Sequence, residues 1–156
     1  MKRKMFLDTS YLLSSAFYLN DSDRCHAINL PLGRVVHTCA RYVAHEISHA
    51  LLLFGRVWPG MDDATERKID GMTATRANDH EMRTCALEMH GLWQLRQKIT
   101  VHWIANQAWT NGLINVRASR KYRTKSMLER AIAREPVSPR LVGRFVRIYS
   151  DFARYA

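Results

Sequence analysis

The sequence predicts a mainly α-helical fold. Three observations carry that prediction. Apolar residues recur at alternating spacings of four and three along residues 36–54, and two later runs, 82–93 and 101–109, keep a helical apolar side. Residues suited to helix caps precede several of these runs. The one strand candidate, CHAINL at 25–30, is brief, so the alternative is an α-rich α+β fold with at most a short strand or hairpin. A length of 156 residues fits a single domain, 1–156, with its own core.

Residues 9–19 (TSYLLSSAFYL) read as a short helix capped by Asp8 or Thr9, and NDSDRC at 20–25 as a turn. Pro31 and Gly33 precede the strongest helical pattern. Val36, Ala40, Val43, Ile47, Ala50 and Phe54 form one apolar stripe, and Gly55 is its stop. Residues 55–77 hold no sustained period, and a short helix is expected near 63–69. Asn78 with Glu81 three residues on reads as a capping box opening a second strong helix, with Met82, Cys85, Met89, Leu92 and Trp93 as its apolar side. VHWIANQAW (101–109) resumes as a third helix that Asn111-Gly112 ends. After the basic connection 116–125, Ser126 and Glu129 repeat the capping-box pattern for a helix near 127–134, closed by Glu135-Pro136. Ser138 with Pro139 then opens a final helix. Trp93, Trp103 and Trp109 are expected in the core, as are the small thiols Cys39 and Cys85.

The chain carries a net charge of +10, spread unevenly. Residues 113–156 hold 11 Lys and Arg against 3 Asp and Glu, whereas residues 1–112 hold 13 against 11. The basic character therefore belongs to a C-terminal helical region, 113–156. Hydrophobic residues make up 47%, too high for a disordered chain. Three cysteines with no CxxC suggest reduced thiols and a cytoplasmic setting. MKRK starts the chain as a leader would, but Asp8 breaks the apolar stretch and no A-x-A follows. No run approaches the ~18 apolar residues of a membrane span.

The segment VAHEISHALLLF (43–54) places His45, Glu46 and His49 inside an apolar helix. Residues four apart share a helix face, so His45 and His49 point the same way and can share one ion, Zn²⁺ or alternatively Fe²⁺. They lie about 160° from Ile47 at ~100° per residue, which predicts that they face a cleft rather than the main core. Glu46, at the edge of that face, can act as general base, taking a proton from an ion-activated water without being a ligand. A third ligand is required, and Glu81 is the first candidate. The competing role for Glu81 is capping alone, as third residue of the Asn78 box. Glu88, two turns further on the same face, is the reserve ligand or a hydrogen-bond partner for a ligand histidine. His90 and His102 are candidates for stabilising an oxyanion.

At HEISH (45–49) and EMRTCALE (81–88) the chain resembles the zincin-like HExxH metallopeptidases, in the branch whose third ligand is a downstream helical Glu. The resemblance covers roughly residues 33–96, the metal-site core. It implies a compact helical domain with the HExxH helix packed against a second ligand-bearing helix. It also implies His45, His49 and Glu81 as zinc ligands with Glu46 as general base. That branch often reads E-x-x-x-[D/A/N] in the second helix; Cys85 stands at the last position and departs from the carboxylate variant. A second, weaker resemblance is to the elongation factor P hydroxylase family, whose second block E-[V/M]-[K/R]-x-x-A-L-[D/E] is matched at Glu81, Arg83, Ala86, Leu87 and Glu88. It implies iron on the same three ligands.

Arg117, Arg120, Lys121, Arg123 and Lys125 lie in one stretch, and Arg140, Arg144 and Arg147 follow at helical spacing. Such a surface suits nucleic acid or another polyanion. The expected function is thus a metal-dependent peptidase acting on a protein or peptide substrate. An iron-dependent protein hydroxylase is the alternative on the same ligands, and a non-catalytic basic binding or assembly protein is the third reading.

Overall fold

The computed structural model describes residues 33–57 and 61–155, with side chains over 44–57 and 64–150. The expected helix at 9–19, the strand candidate at 25–30 and the side chain of Cys39 lie outside these residues. Among the described residues there are six α-helices and no strand: α1 (Gly33–Phe54), α2 (Met61–Asp70), α3 (Ala74–Gln94), α4 (Val101–Thr110), α5 (Lys125–Arg134) and α6 (Pro139–Tyr155). The mainly α fold class is therefore observed. No helix among the described residues is long and apolar enough to cross a membrane.

Helix ends follow local chemistry. Gly55 adopts φ +71° and donates its N–H to Leu51 O at 2.9 Å, closing α1 where the sequence placed its stop. The expected short helix between the two strong ones is α2. Thr73 caps α3, its side chain accepting from Arg76 N at 3.3 Å. The second helix thus begins one turn before Asn78, and the Asn78–Glu81 capping box does not form. Thr100 caps α4 in the same way, accepting from Trp103 N at 3.0 Å. Thr124, rather than Ser126, caps α5 through Met127 N at 3.2 Å. Glu129 is consequently free of capping duty, and its carboxylate meets His102 Nδ1 at 3.2 Å. Ser138 Oγ accepts from Leu141 N at 3.4 Å at the start of α6, as Ser138-Pro139 predicted. The two misread starts share one cause: a threonine just upstream offers its hydroxyl first.

Two C-termini close with paired bonds, one spanning six residues and one spanning four. After α3, Gln97 N reaches Leu92 O at 2.9 Å and Arg96 N reaches Trp93 O at 2.8 Å. After α4, Leu113 N reaches Ala108 O at 3.0 Å and Gly112 N reaches Trp109 O at 3.2 Å. The turn residue must be left-handed. Gly112 does this at φ +67°, whereas Arg96 does it at φ +59° without a glycine's freedom.

The described residues divide into two compact units, one within 33–67 and 147–155 and the other 68–146. In the second, α3, α4 and α5 pack on one another. Its core holds Leu87, Met89, Leu92, Ile104, Leu128, Ile132 and Phe145. The Phe145 ring lies against Gly91, where a Cβ would collide with it. In the first unit, Ala44, Ile47, Ala50 and Leu51 of α1 are buried. Trp93, expected in the core, is 41% exposed and spends its indole N–H on Ile99 O at 2.6 Å, tying the α3–α4 link. Trp103 and Trp109 are half-buried.

Candidate metal centre

On α1 the i, i+4 spacing delivers what it promised. The His45 and His49 rings stand edge to face with centroids 4.5 Å apart and planes at 89°. Their surroundings are drier than an open cleft: His49 is only 4% exposed and His45 half-buried. Burial wraps round this part of the helix, taking in small side chains beside Ile47. Ala44 and Ala50 are fully buried, and Ser48 returns its hydroxyl to Ala44 O at 2.8 Å, so it brings no unsatisfied donor inside.

On α3 several polar residues are buried as well. Asn78, His80, Glu81, Thr84 and Glu88 all have little exposure. Burying such groups costs free energy unless each is bonded. Thr84 donates to His80 O at 2.8 Å and sits 3.4 Å from His80 Nε2. Glu81 lies in the interior of α3, seven residues beyond its first, and is held by the helix backbone rather than acting as its cap.

The ligating atoms of His45, His49 and Glu81 all lie within 4.8 Å of one another, a group able to hold a metal ion. The fit can be judged from the donors themselves. Two imidazoles and one carboxylate suit zinc or ferrous iron. Around one ion with bonds of about 2.0–2.1 Å, tetrahedral donors stand about 3.3 Å apart. The residues present therefore fit a metal ion. Glu88, the reserve ligand, is buried but stands outside this group. Glu46 is half-buried, beside His45 in the chain and likewise outside the donor group.

Cys85 is expected only as a small core residue that departs from the carboxylate pattern of the second helix. Cys85 is buried on α3, four residues after Glu81 and three before Glu88. Burial, then the Glu88 carboxylate, then the Glu81 carboxylate push its thiol well above the ordinary thiol range. The signal was present in the i−4, i+3 spacing, which sets the thiol between two acids on one helix face.

The other candidates are not members of the donor group. His102 is exposed and paired with Glu129, and the His90 ring lies tilted at 60° to that of Trp93 with centroids 5.3 Å apart. Arg117, Arg120, Lys121 and Arg123 are exposed, and half-buried Lys125 donates to Asn106 Oδ1 at 3.0 Å. On α6, Arg140 and Arg147 are exposed while Arg144 is half-buried. Compared with known proteins, the chain matches no family, no curated protein and no solved structure.

Proposed function

We propose that this protein is a metal-dependent peptidase that uses His45, His49 and Glu81 to hold a divalent cation, zinc in the first instance. The observation that carries the reading is the grouping of those three donors within 4.8 Å, with a carboxylate, Glu46, next in sequence to one of them. A bound divalent ion would supply water acidified from a pKa of about 15.7 to about 7 and a polarised substrate carbonyl. The chain's own residues do the rest. Glu46 accepts the proton of the attacking water and returns it to the departing amine. The burial of His49 and Glu81 keeps bulk water from the donors and strengthens their electrostatic hold.

That same burial favours one further reading, an iron-dependent protein hydroxylase on the same three ligands, because a shielded centre protects oxygen chemistry from side reactions. Metal content and turnover separate the two. Protein purified without added metal and carrying near-stoichiometric zinc, with cleavage of a fluorogenic peptide mixture, supports the peptidase. Iron with oxygen-dependent product supports the hydroxylase. Glu46→Gln is expected to keep metal while losing cleavage by about 10²–10⁴-fold. Full cleavage in that variant would remove Glu46 from the reaction.

A further inference from the structure

We infer that the loop from Asn115 to Arg123 is a docking surface for the phosphodiester backbone of nucleic acid. The inference is independent of the metal site and stands or falls without it.

The loop is basic without compensation. Between Val116 and Thr124 it carries Arg117, Arg120, Lys121 and Arg123 and no acidic residue. Lys121 is drawn to Asp79, 3.6 Å away. Arg117, Arg120 and Arg123 are exposed and make no ion pair among the described residues. Each presents a planar donor fork that matches two phosphate oxygens at once.

The backbone beneath these side chains is held at several points, at Asn115, Arg117, Ala118, Lys121 and Tyr122. Asn115 N donates to Asn78 Oδ1 at 2.7 Å, and Asn78 Nδ2 donates to Asn115 O at 2.9 Å. Asn115 Oδ1 accepts from the N–H groups of Arg117 and Ala118 at 3.2 and 3.3 Å. Thr75 Oγ1 donates to Ala118 O at 3.3 Å. Ser119 Oγ accepts from the N–H groups of Lys121 and Tyr122 at 3.1 and 3.2 Å. Tyr122 Oη donates to Asp79 Oδ1 at 2.7 Å. A connection with no helix or strand of its own is thus pinned through three buried side chains, Asn78, Ser119 and Tyr122. Only the arginine side chains need ordering when an anion binds, which lowers the entropic cost of association.

The chemistry selects the partner. Three guanidinium groups at three-residue intervals on a held backbone suit a partner with regularly repeated single charges. Nucleic acid phosphates are such a series, and neutralising them releases counterions. The loop's aromatic residue, Tyr122, is 2% exposed and bonded to Asp79, so it offers no face for stacking on a base. Binding therefore reads backbone rather than sequence. The chain's net charge of +10 adds long-range attraction.

The test uses the full chain and labelled short oligonucleotides of unrelated sequence, single-stranded and duplex, read by fluorescence anisotropy between about 50 and 200 mM salt. Affinity should fall linearly on logarithmic axes and differ little between sequences. Combined Arg117→Gln, Arg120→Gln and Arg123→Gln changes should flatten the salt slope by about three, and each single change by about one. A charge-matched control, Lys98→Gln with Arg130→Gln and Arg134→Gln, should leave the slope within about one of the starting protein. Melting curves confirm that each variant folds, and the single changes keep the test decisive if the triple variant does not. Absence of binding at low salt overturns the inference. So does a control variant that loses as much as the loop variant, or binding to phosphatidylserine vesicles in preference to oligonucleotides.

Discussion

Asn78 on α3 and Asn115, 37 residues later in a loop, are joined by two hydrogen bonds, 2.7 Å into Asn78 Oδ1 and 2.9 Å from its Nδ2. Asn78 is only 1% exposed, so its amide enters both bonds from the buried side, while Asn115 lies at the surface. Asn78→Ala removes the acceptor of the Asn115 N–H and one of the two donors to Asn115 O, whose other donor is Ala118 N at 3.2 Å, and is expected to cost about 2–3 kcal/mol. A mere helix cap would cost about 1 kcal/mol. Urea denaturation distinguishes the two. Asn78→Asp keeps the acceptor but loses the donor, and should fall between the wild type and the alanine variant.

Gly91→Ala should destabilise even though alanine is the better helix former. Propensity alone predicts a gain of about 1 kcal/mol. Collision of the added methyl with the buried Phe145 ring predicts a net loss of about 1–3 kcal/mol. Pairing it with Phe145→Leu should recover part of that loss. A stabilised Gly91→Ala protein would contradict the packing described.

Arg96→Gly should act in the opposite direction. The left-handed φ of +59° strains any side chain, and glycine adopts it freely. Relief of that strain is offset by the greater freedom of glycine in the unfolded chain, leaving an expected gain of about 0.5–1 kcal/mol. A small rise in Tm checks it.

Tyr122 should make stability fall in alkaline solution. Burial and its bond to Asp79 raise its hydroxyl well above the usual tyrosine range. As pH rises, the unfolded chain loses this proton first. The contribution is therefore whole below the ordinary pKa of about 10 and declines above it, through to the folded value. Tyr122→Phe should be about 1–2 kcal/mol less stable at neutral pH, with a shallower alkaline decline. An unchanged slope in that variant would count against the burial of the hydroxyl.

Added zinc should stabilise the folded chain, by about 2.7 kcal/mol at a hundredfold excess over Kd, and a chelator should reverse it. His45→Ala, His49→Ala and Glu81→Ala are each expected to abolish the shift in Tm. Glu88→Gln is expected to retain it, since Glu88 stands outside the donor group. A Glu88→Gln protein that no longer responds to zinc would mean that the ligand set was wrongly drawn.

Much of the local architecture is written in the sequence itself. The apolar period of three and four marks α1, α3 and α4, and Gly55, Asn111-Gly112 and Ser138-Pro139 mark boundaries, because these depend on residues within one or two turns. The paired histidines belong to the same class, since helical geometry alone puts residues 45 and 49 on one side. Starts were misread where two plausible caps competed within a few residues, as at Thr73 against Asn78 and Thr124 against Ser126. What only the tertiary structure decided are relationships across long stretches of chain. Glu81 and Glu88 share a helix face, the first expected as ligand and the second as its reserve, and the positions of their atoms put Glu81 in the group that could hold a metal ion and Glu88 outside it. Asn78 looked like a cap until its amide was seen engaged by Asn115. Neither choice is encoded in any short stretch, because a hydrogen bond or a ligand set is chosen by which groups packing brings within about 3 Å, and packing is a property of the whole folded chain.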